Sequence, residues 1–270
     1  MTSPRNGSSE QVDGVRGAQT ADRAIQLLLA LVESAGVVSL RDLGESTGLN
    51  RAATYRLIQP LLTHGWVTRD ARGGYRLGPG LIALSARVLS TVRIREPARE
   101  VMERIAALTS ETVSLHVPHL LTRVCIDGIE SPLPVRRVVP FGESLPVFVG
   151  PTGKAMLAWL PPEQVSAALK QAGTLGLDPA RIREHLELVR RDGYLGVVDD
   201  RLPGVGGLSV PIFGVDGIAG AITVSGPSYR FDMAAMSAIA PRVVAECRAL
   251  SQLLGHTGIE DQSLPNPVPA

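Results

Sequence analysis

Around Gly48, in the stretch SLRDLGESTGLNRAATYRLIQPLLTHGWVTRDARGGYRL (residues 39–77), small and apolar positions fall in an order that few folds accept. Leu43 stands five residues before that glycine. The residue after it, Gly44, leaves room for two helices to cross closely. Leu49, Thr54 and Leu57 follow at spacings that bury one face of a second helix. Ser39 with Asp42 reads as a capping-box-like start, Gly48 as the stop, and Asn50 as the cap of a helix running to Gly65. WVTRDARGGYRL then alternates as two strands about an Arg-Gly-Gly turn. Two short helices joined by a glycine turn and followed by a hairpin make a winged helix-turn-helix.

In that architecture the start of the second helix enters the major groove, which nominates Asn50, Arg51, Ala52 and Tyr55 for base edges. Arg51 is the candidate for a bidentate guanine contact. Arg56 either grips phosphate or packs inward. Arg69 and Arg72, at the hairpin turn, reach backbone or minor groove. The net charge of +1 says nothing for or against nucleic acid, but its distribution does. From Leu49 to Arg76 five arginines (51, 56, 69, 72 and 76) face one acid, Asp70. All but Lys154 and Lys170 of the 27 basic residues are arginine, whose fork suits phosphates and guanine edges.

A chain of 270 residues, 44% hydrophobic and 4% aromatic, is long enough for two domains with aliphatic cores. Residues 1–19 are polar and expected to be a disordered arm, and the Pro-rich 258–270 a disordered tail. A helix with apolar positions Ala24, Ile25, Leu28, Leu31 and Val32 precedes the helix-turn-helix, giving a DNA-binding domain over 20–78. A linker helix is expected over 79–96, with another helix starting at Pro97. Beyond it the pattern is mixed. Short β-like runs are VSLHV, RVCIDGI, RRVVPF, LSVPIFG and IAGAITVSG; helices are expected at 153–160, 162–171, 179–192 and from Met233 to Leu254. This predicts an α+β domain over 97–257 around a mainly antiparallel sheet. Cys125 and Cys247 form no metal-ligand spacing and read as buried small hydrophobes; no metal, cofactor or membrane span is expected, and a cytoplasmic location is.

VGPTGKAML (149–157) invites a nucleotide reading that its spacing rejects. Phe148 stands where a P-loop needs glycine, and Ala155 where it needs a hydroxyl for magnesium. What remains is a turn opening a helix, either a plain cap or a cradle for a small anion. Lys154, one turn in, is expected to touch ligand or snorkel to the surface. His116, Cys125, Asp127 and Ser225 carry no catalytic signature around them, and His116 reads as a solvent-facing or satisfied strand residue. An enzyme is the least favoured reading; a ligand-sensing scaffold acting through protein contacts is a second.

The segments ADRAIQLLLAL, LRDLGESTGLNRAATYRLIQPLLTHGWV, YRLGPGLIALS, GPTGKAMLAWLP, DGYLG and GGLSVPIFGVDGIAGAITVSGP together resemble the IclR family of bacterial transcriptional regulators. The resemblance implies a winged helix-turn-helix, a linker helix and a GAF-like effector-binding domain. It also implies dimers, often paired into tetramers, on palindromic double-stranded operators. It places Gly150, Pro151 and Thr152 at the border of an effector pocket, holding a small organic acid by backbone amides. Two further family positions carry acidic and cysteine anchors and correspond here to Val197 and Gly207, neither of which bonds through a side chain; Thr223 and Ser225 match the hydroxyl-bearing strand. A pocket so depleted of polar side chains is expected to prefer a bulkier acid, aromatic or alicyclic.

Overall fold

A computed structural model describes residues 9–34 and 36–257. The chain divides into two units, Met1–Thr91 and Val92–Ala270, each with its own core.

The first unit contains helices α1 (Ser9–Glu33), α2 (Leu40–Thr47) and α3 (Arg51–Thr63), strands β1 (Val67–Arg69) and β2 (Tyr75–Leu77), and helix α4 (Gly80–Leu89). The caps are where the sequence puts them. Ser39 Oγ accepts from the Asp42 amide at 3.2 Å and donates to its carboxylate at 2.8 Å. Gly48 closes α2 in the left-handed region (φ 67°), and Asn50 Oδ1 accepts from the Ala53 amide at 2.9 Å. Leu27, Leu31, Leu43, Leu57, Ile58, Leu61, Val67 and Tyr75 form the core. At the tight crossing a Cβ on Gly44 would stand 2.8 Å from Leu49 O and 3.0 Å from Thr54 Oγ1, itself fully buried. Gly44→Ala should therefore destabilise this unit by about 1–3 kcal/mol. Chemical denaturation checks it, and an unchanged midpoint would mean the crossing has slack.

Three expectations are corrected in or beside this unit. The unstructured arm of residues 1–19 is helical over 9–19, because SEQVDGVRGAQ contains no proline and runs without interruption into an apolar helix; residues 1–8 and 258–270 lie outside those described. The apolar stripe of α1 is rotated. Leu27 and Leu31 are buried with Ala24 and Leu28 packed against them, whereas Ile25 and Val32 are 55% and 62% exposed. The linker helix of 79–96 is broken, since α4 ends at Leu89 and α5 (Arg95–Thr109) begins six residues later. Ser90 and Thr91 hydroxyls bond back to Arg87 O and Val88 O, and the Pro97 ring forbids the helical continuation one turn earlier.

The second unit holds a six-stranded, wholly antiparallel sheet in the order β5-β4-β3-β8-β7-β6, formed by β3 (Thr112–His119), β4 (Thr122–Ile129), β5 (Ser144–Pro146), β6 (Leu195–Val198), β7 (Val205–Gly214) and β8 (Gly217–Pro227). Alternation along the strands separates two faces. Gly206 approaches α9 (Met233–Leu253), where a Cβ would meet Met236, while Gly207 faces α6 (Gly150–Leu157), where a Cβ would stand 3.0 Å from Pro151 Cγ. Helices α5 and α9 cover the first face. Helix α6 covers the second, with α7 (Pro162–Thr174) and α8 (Pro179–Asp192) behind it around Leu157, Leu169, Ile182, Leu186 and Val189. The mixed α+β architecture expected from the sequence is present.

Here too the sequence reading needs correction. RRVVPF (136–141) is not a strand; it lies in an irregular segment punctuated by Pro132, Pro134 and Pro140, and the strand after it is Ser144–Pro146. Helix α6 starts at Gly150 rather than 153, because Gly150 takes φ 71° at the corner and Gly153 has no room for a Cβ, which would fall 2.3 Å from Val147 O.

Candidate functional site

The first unit presents the N-terminus of α3 and the hairpin turn on one open groove, lined by Ser39, Arg41, Arg51, Ala52, Tyr55, Arg69 and Arg72 among others. Arg51, Ala52, Tyr55, Arg56 and Arg72 are exposed, so Arg56 does not pack inward. Asn50 is spent partly as a helix cap. Arg69 is held rather than free: its guanidinium lies 5.6 Å from the centre of the Tyr75 ring and its Nε donates to Gly73 O at 3.2 Å. The sequence reading missed Arg41. It sits on α2, pairs with Glu45 at 2.8 Å on the surface, and lines the same groove. Its position on the first helix, away from the recognition-helix start, gave no signal.

In the second unit the corner at Gly150 roofs a cavity of about 70 Å³, several times what one water needs. Gly150, Pro151, Thr152, Val197, Gly207, Thr223 and Ser225 all line it. The sheet register explains why residues so far apart converge: Val197 pairs with Gly207, and Gly207 with Ser225, across three neighbouring strands. Thr223 Oγ1 lies 2.8 Å from both Thr152 Oγ1 and Ser209 Oγ, tying the first turn of α6 to the sheet.

The expectation that this wall is poor in polar side chains is wrong. Ser114, His116, Arg123, Arg137, Glu143, Asp200 and Arg201 also line the cavity. They come from β3, β4, the 131–143 segment and the β6–β7 loop, none of which the motif reading assigned to the pocket, although it weighed His116 as a strand residue. The available signal was the alternation of β3, which puts Ser114 and His116 on one face with Thr112.

His116 is 1% exposed and fully bonded. Arg123 Nη1 donates to Nδ1 at 2.8 Å, and since arginine cannot accept, the neutral ring carries its proton on Nε2, 3.0 Å from Ser114 Oγ. Burial, then the charges of Arg123 and Arg201, hold the imidazole pKa well below 6.5. The unfolded chain takes up a proton below pH 6.5 that this folded site refuses. Its contribution is thus present above that pH and declines as pH falls, by up to about 1.4 kcal/mol per unit. Denaturation midpoints between about pH 7 and pH 5 should fall more steeply for the wild type than for His116→Gln; parallel slopes would contradict the neutral assignment.

Arg123 is 3% exposed; burial draws its pKa down to about 10, leaving it charged at neutral pH. No carboxylate pairs with it among the described residues, its Nε lacks a hydrogen-bond partner, and so does the buried Ser225 Oγ. Glu143 is the carboxylate shared by Arg201, at 2.8 and 3.3 Å, and Arg137, at 3.8 Å. Although burial raises the Glu143 pKa, hydrogen bonding to Arg201 and the three arginine charges outweigh it and leave a net lowering. Lys154 neither lines the cavity nor snorkels outward; it lies behind a wall residue. It is 4% exposed, pairs with Asp200 at 2.7 Å and lies 3.1 Å from His185 Nδ1, pinning the β6–β7 loop to α6. Both cysteines are buried, and burial pushes the Cys125 thiol up to about 11. No group of three or more His, Cys, Asp or Glu suited to a metal occurs among the described residues.

Comparison with known proteins agrees with both halves of this geometry. Residues 20–71 match the model of the IclR helix-turn-helix domain, and residues 86–252 match that of the bacterial transcriptional regulator IclR C-terminal domain. The chain is 31% identical over 232 residues to HTH-type transcriptional regulator Rv1719 of Mycobacterium tuberculosis, covering 83% of this chain and 88% of that one. It is 29% identical over 234 residues to HTH-type transcriptional repressor AllR of Escherichia coli, covering 84% and 86%. A solved IclR transcriptional regulator from Silicibacter sp. TM1040 aligns with a TM-score of 0.75 at 28% identity, over 93% of this chain and all of that one. An IclR homologue from Microbacterium hydrocarbonoxydans, solved in complex with 4-hydroxybenzoate, shares the fold with a TM-score of 0.72 at 21% identity, over 87% and 99%. The chain belongs to the IclR family of transcriptional regulators, with a helix-turn-helix DNA-binding domain followed by a C-terminal effector domain.

Proposed function

We propose that this protein binds a palindromic operator as a dimer, in the cytoplasm and without catalysing a reaction, and that a small organic acid in the second unit's cavity sets its affinity for DNA. The observation that carries the acid is Arg123, a buried cation with no carboxylate partner, lining the same cavity as a buried hydroxyl, Ser225 Oγ, that is also unpartnered. An unpaired buried charge costs several kcal/mol, and a carboxylate held there removes that cost. The first-turn amides of α6 add donors that no helix can satisfy internally. Val139, Val197, Leu202 and Val205 supply an apolar wall for an aromatic or alicyclic body. The 4-hydroxybenzoate held by the Microbacterium homologue is an acid of this kind.

Asn50, Arg51, Ala52, Tyr55, Arg56, Arg69 and Arg72 are the residues proposed to meet DNA, joined by Arg41. The dimer rests on apolar side chains left open on the first unit, the row Ile25, Leu29 and Val32 of α1 and the pair Leu84 and Val88 on one side of α4, which a second copy would cover. Titration of the chain's own upstream region at several salt concentrations tests the reading. A specific footprint whose affinity drops steeply with salt supports it; no footprint would favour a scaffold acting through protein contacts.

A further inference from the structure

The charge inventory of the cavity goes further than one acid group. Lys154 and Asp200, paired at 2.7 Å, neutralise each other. His116 is neutral, as its bonding requires. That leaves the guanidinium groups of Arg123, Arg137 and Arg201 against the single carboxylate of Glu143. The wall is short of two negative charges, and the shortage lies at two depths. Arg123 and Ser225 are 3% and 7% exposed, whereas the side chains of Arg137 and Arg201 are 20% and 27% exposed. The same turn touches both ends: a Cβ on Gly150 would stand 4.0 Å from Arg123 Nη2 and 3.9 Å from Arg201 Cδ.

We infer that the effector is a dicarboxylate, one carboxylate held deep by Arg123, Ser225 and the first turn of α6, the other nearer the mouth by Arg137 and Arg201. This rests on the acid-effector reading above. A monocarboxylate leaves one arginine unmatched in a part-buried site, where effective permittivity is low and the mismatch is expensive. A compact dianion places both charges at one depth and leaves the other end unmatched. The apolar wall of Val139, Val197 and Val205 requires a carbon body joining the two groups rather than a polyol.

The test is isothermal titration of the full chain with matched pairs: benzoate against phthalate, isophthalate and terephthalate, and cyclohexanecarboxylate against its 1,2-dicarboxylate, with inorganic phosphate as the compact dianion. At least one dicarboxylate is expected to bind ten-fold or more tighter than its monocarboxylate and than phosphate. In Arg201→Gln that ratio should fall at least ten-fold; if this variant does not fold, Arg137→Gln should lower it likewise. Equal affinity within every pair, or tightest binding of phosphate, overturns the dicarboxylate and leaves the acid reading standing. No binding by any member of any pair overturns both.

Discussion

Arg51→Ala is expected to weaken operator binding by about five-fold to more than a hundred-fold, the roughly 1–3 kcal/mol of one bidentate base contact, with fold and acid binding unchanged. The reason is positional. Arg51 is the first residue of α3, exposed beside Tyr55, at the end of the helix that the Asn50 cap holds rigid. Arg72, on the turn of the hairpin, should behave differently if it contacts phosphate: its loss lowers affinity for all sequences alike and reduces the salt dependence by about one unit of slope. Equal loss of DNA and acid binding in Arg51→Ala would contradict the division between the units.

Arg123→Met is expected to weaken acid binding by at least about thirty-fold, the 2 kcal/mol or more that accompanies removal of a buried charged partner. It should leave the ligand-free protein as stable as before or more so. That pairing of effects is unusual for a core substitution. It follows because the ligand-free site carries a buried guanidinium that no carboxylate pairs with directly, the charge of Glu143 recovering only part of its desolvation, and a similarly shaped apolar side chain removes the remaining penalty. The bond to His116 Nδ1 is lost in the exchange, costing about 1 kcal/mol against it. Thermal denaturation with and without acid separates the two effects. A large loss of ligand-free stability would mean that Arg123 serves the fold rather than the ligand.

The legible parts of this molecule are those whose causes lie within a few residues. The Ser39 and Asn50 caps, the Gly48 stop, the Gly44 crossing and the hairpin turn all depend on local spacing, and they appear where the sequence puts them. The turn at Gly150 was also readable, since a glycine-proline corner before an apolar run leaves few alternatives, although the helix starts three residues earlier than expected. The cavity's charges were not legible. Arg201 meets Glu143 across 58 positions and Lys154 meets Asp200 across 46, so no window of sequence contains both partners. Val197 and Gly207 suggested an apolar site because their own side chains are apolar or absent. Yet Gly207 is small because Pro151 presses against it, and the polarity enters from other strands. The α1 stripe failed for a different reason. Apolar residues occupy two of its faces, and periodicity alone does not say which faces inward.

Regulation by this protein requires that acid binding in one unit change DNA binding by the other. Fluorescence anisotropy of the chain's own upstream duplex, at fixed salt, with and without the acid that binds most tightly in calorimetry, tests that coupling in wild type and Arg123→Met. The expected result is a shift in operator affinity of about five-fold or more for the wild type, and none for the variant at the same acid concentration. The same shift in both proteins, or no shift in a wild type saturated with acid, would contradict it.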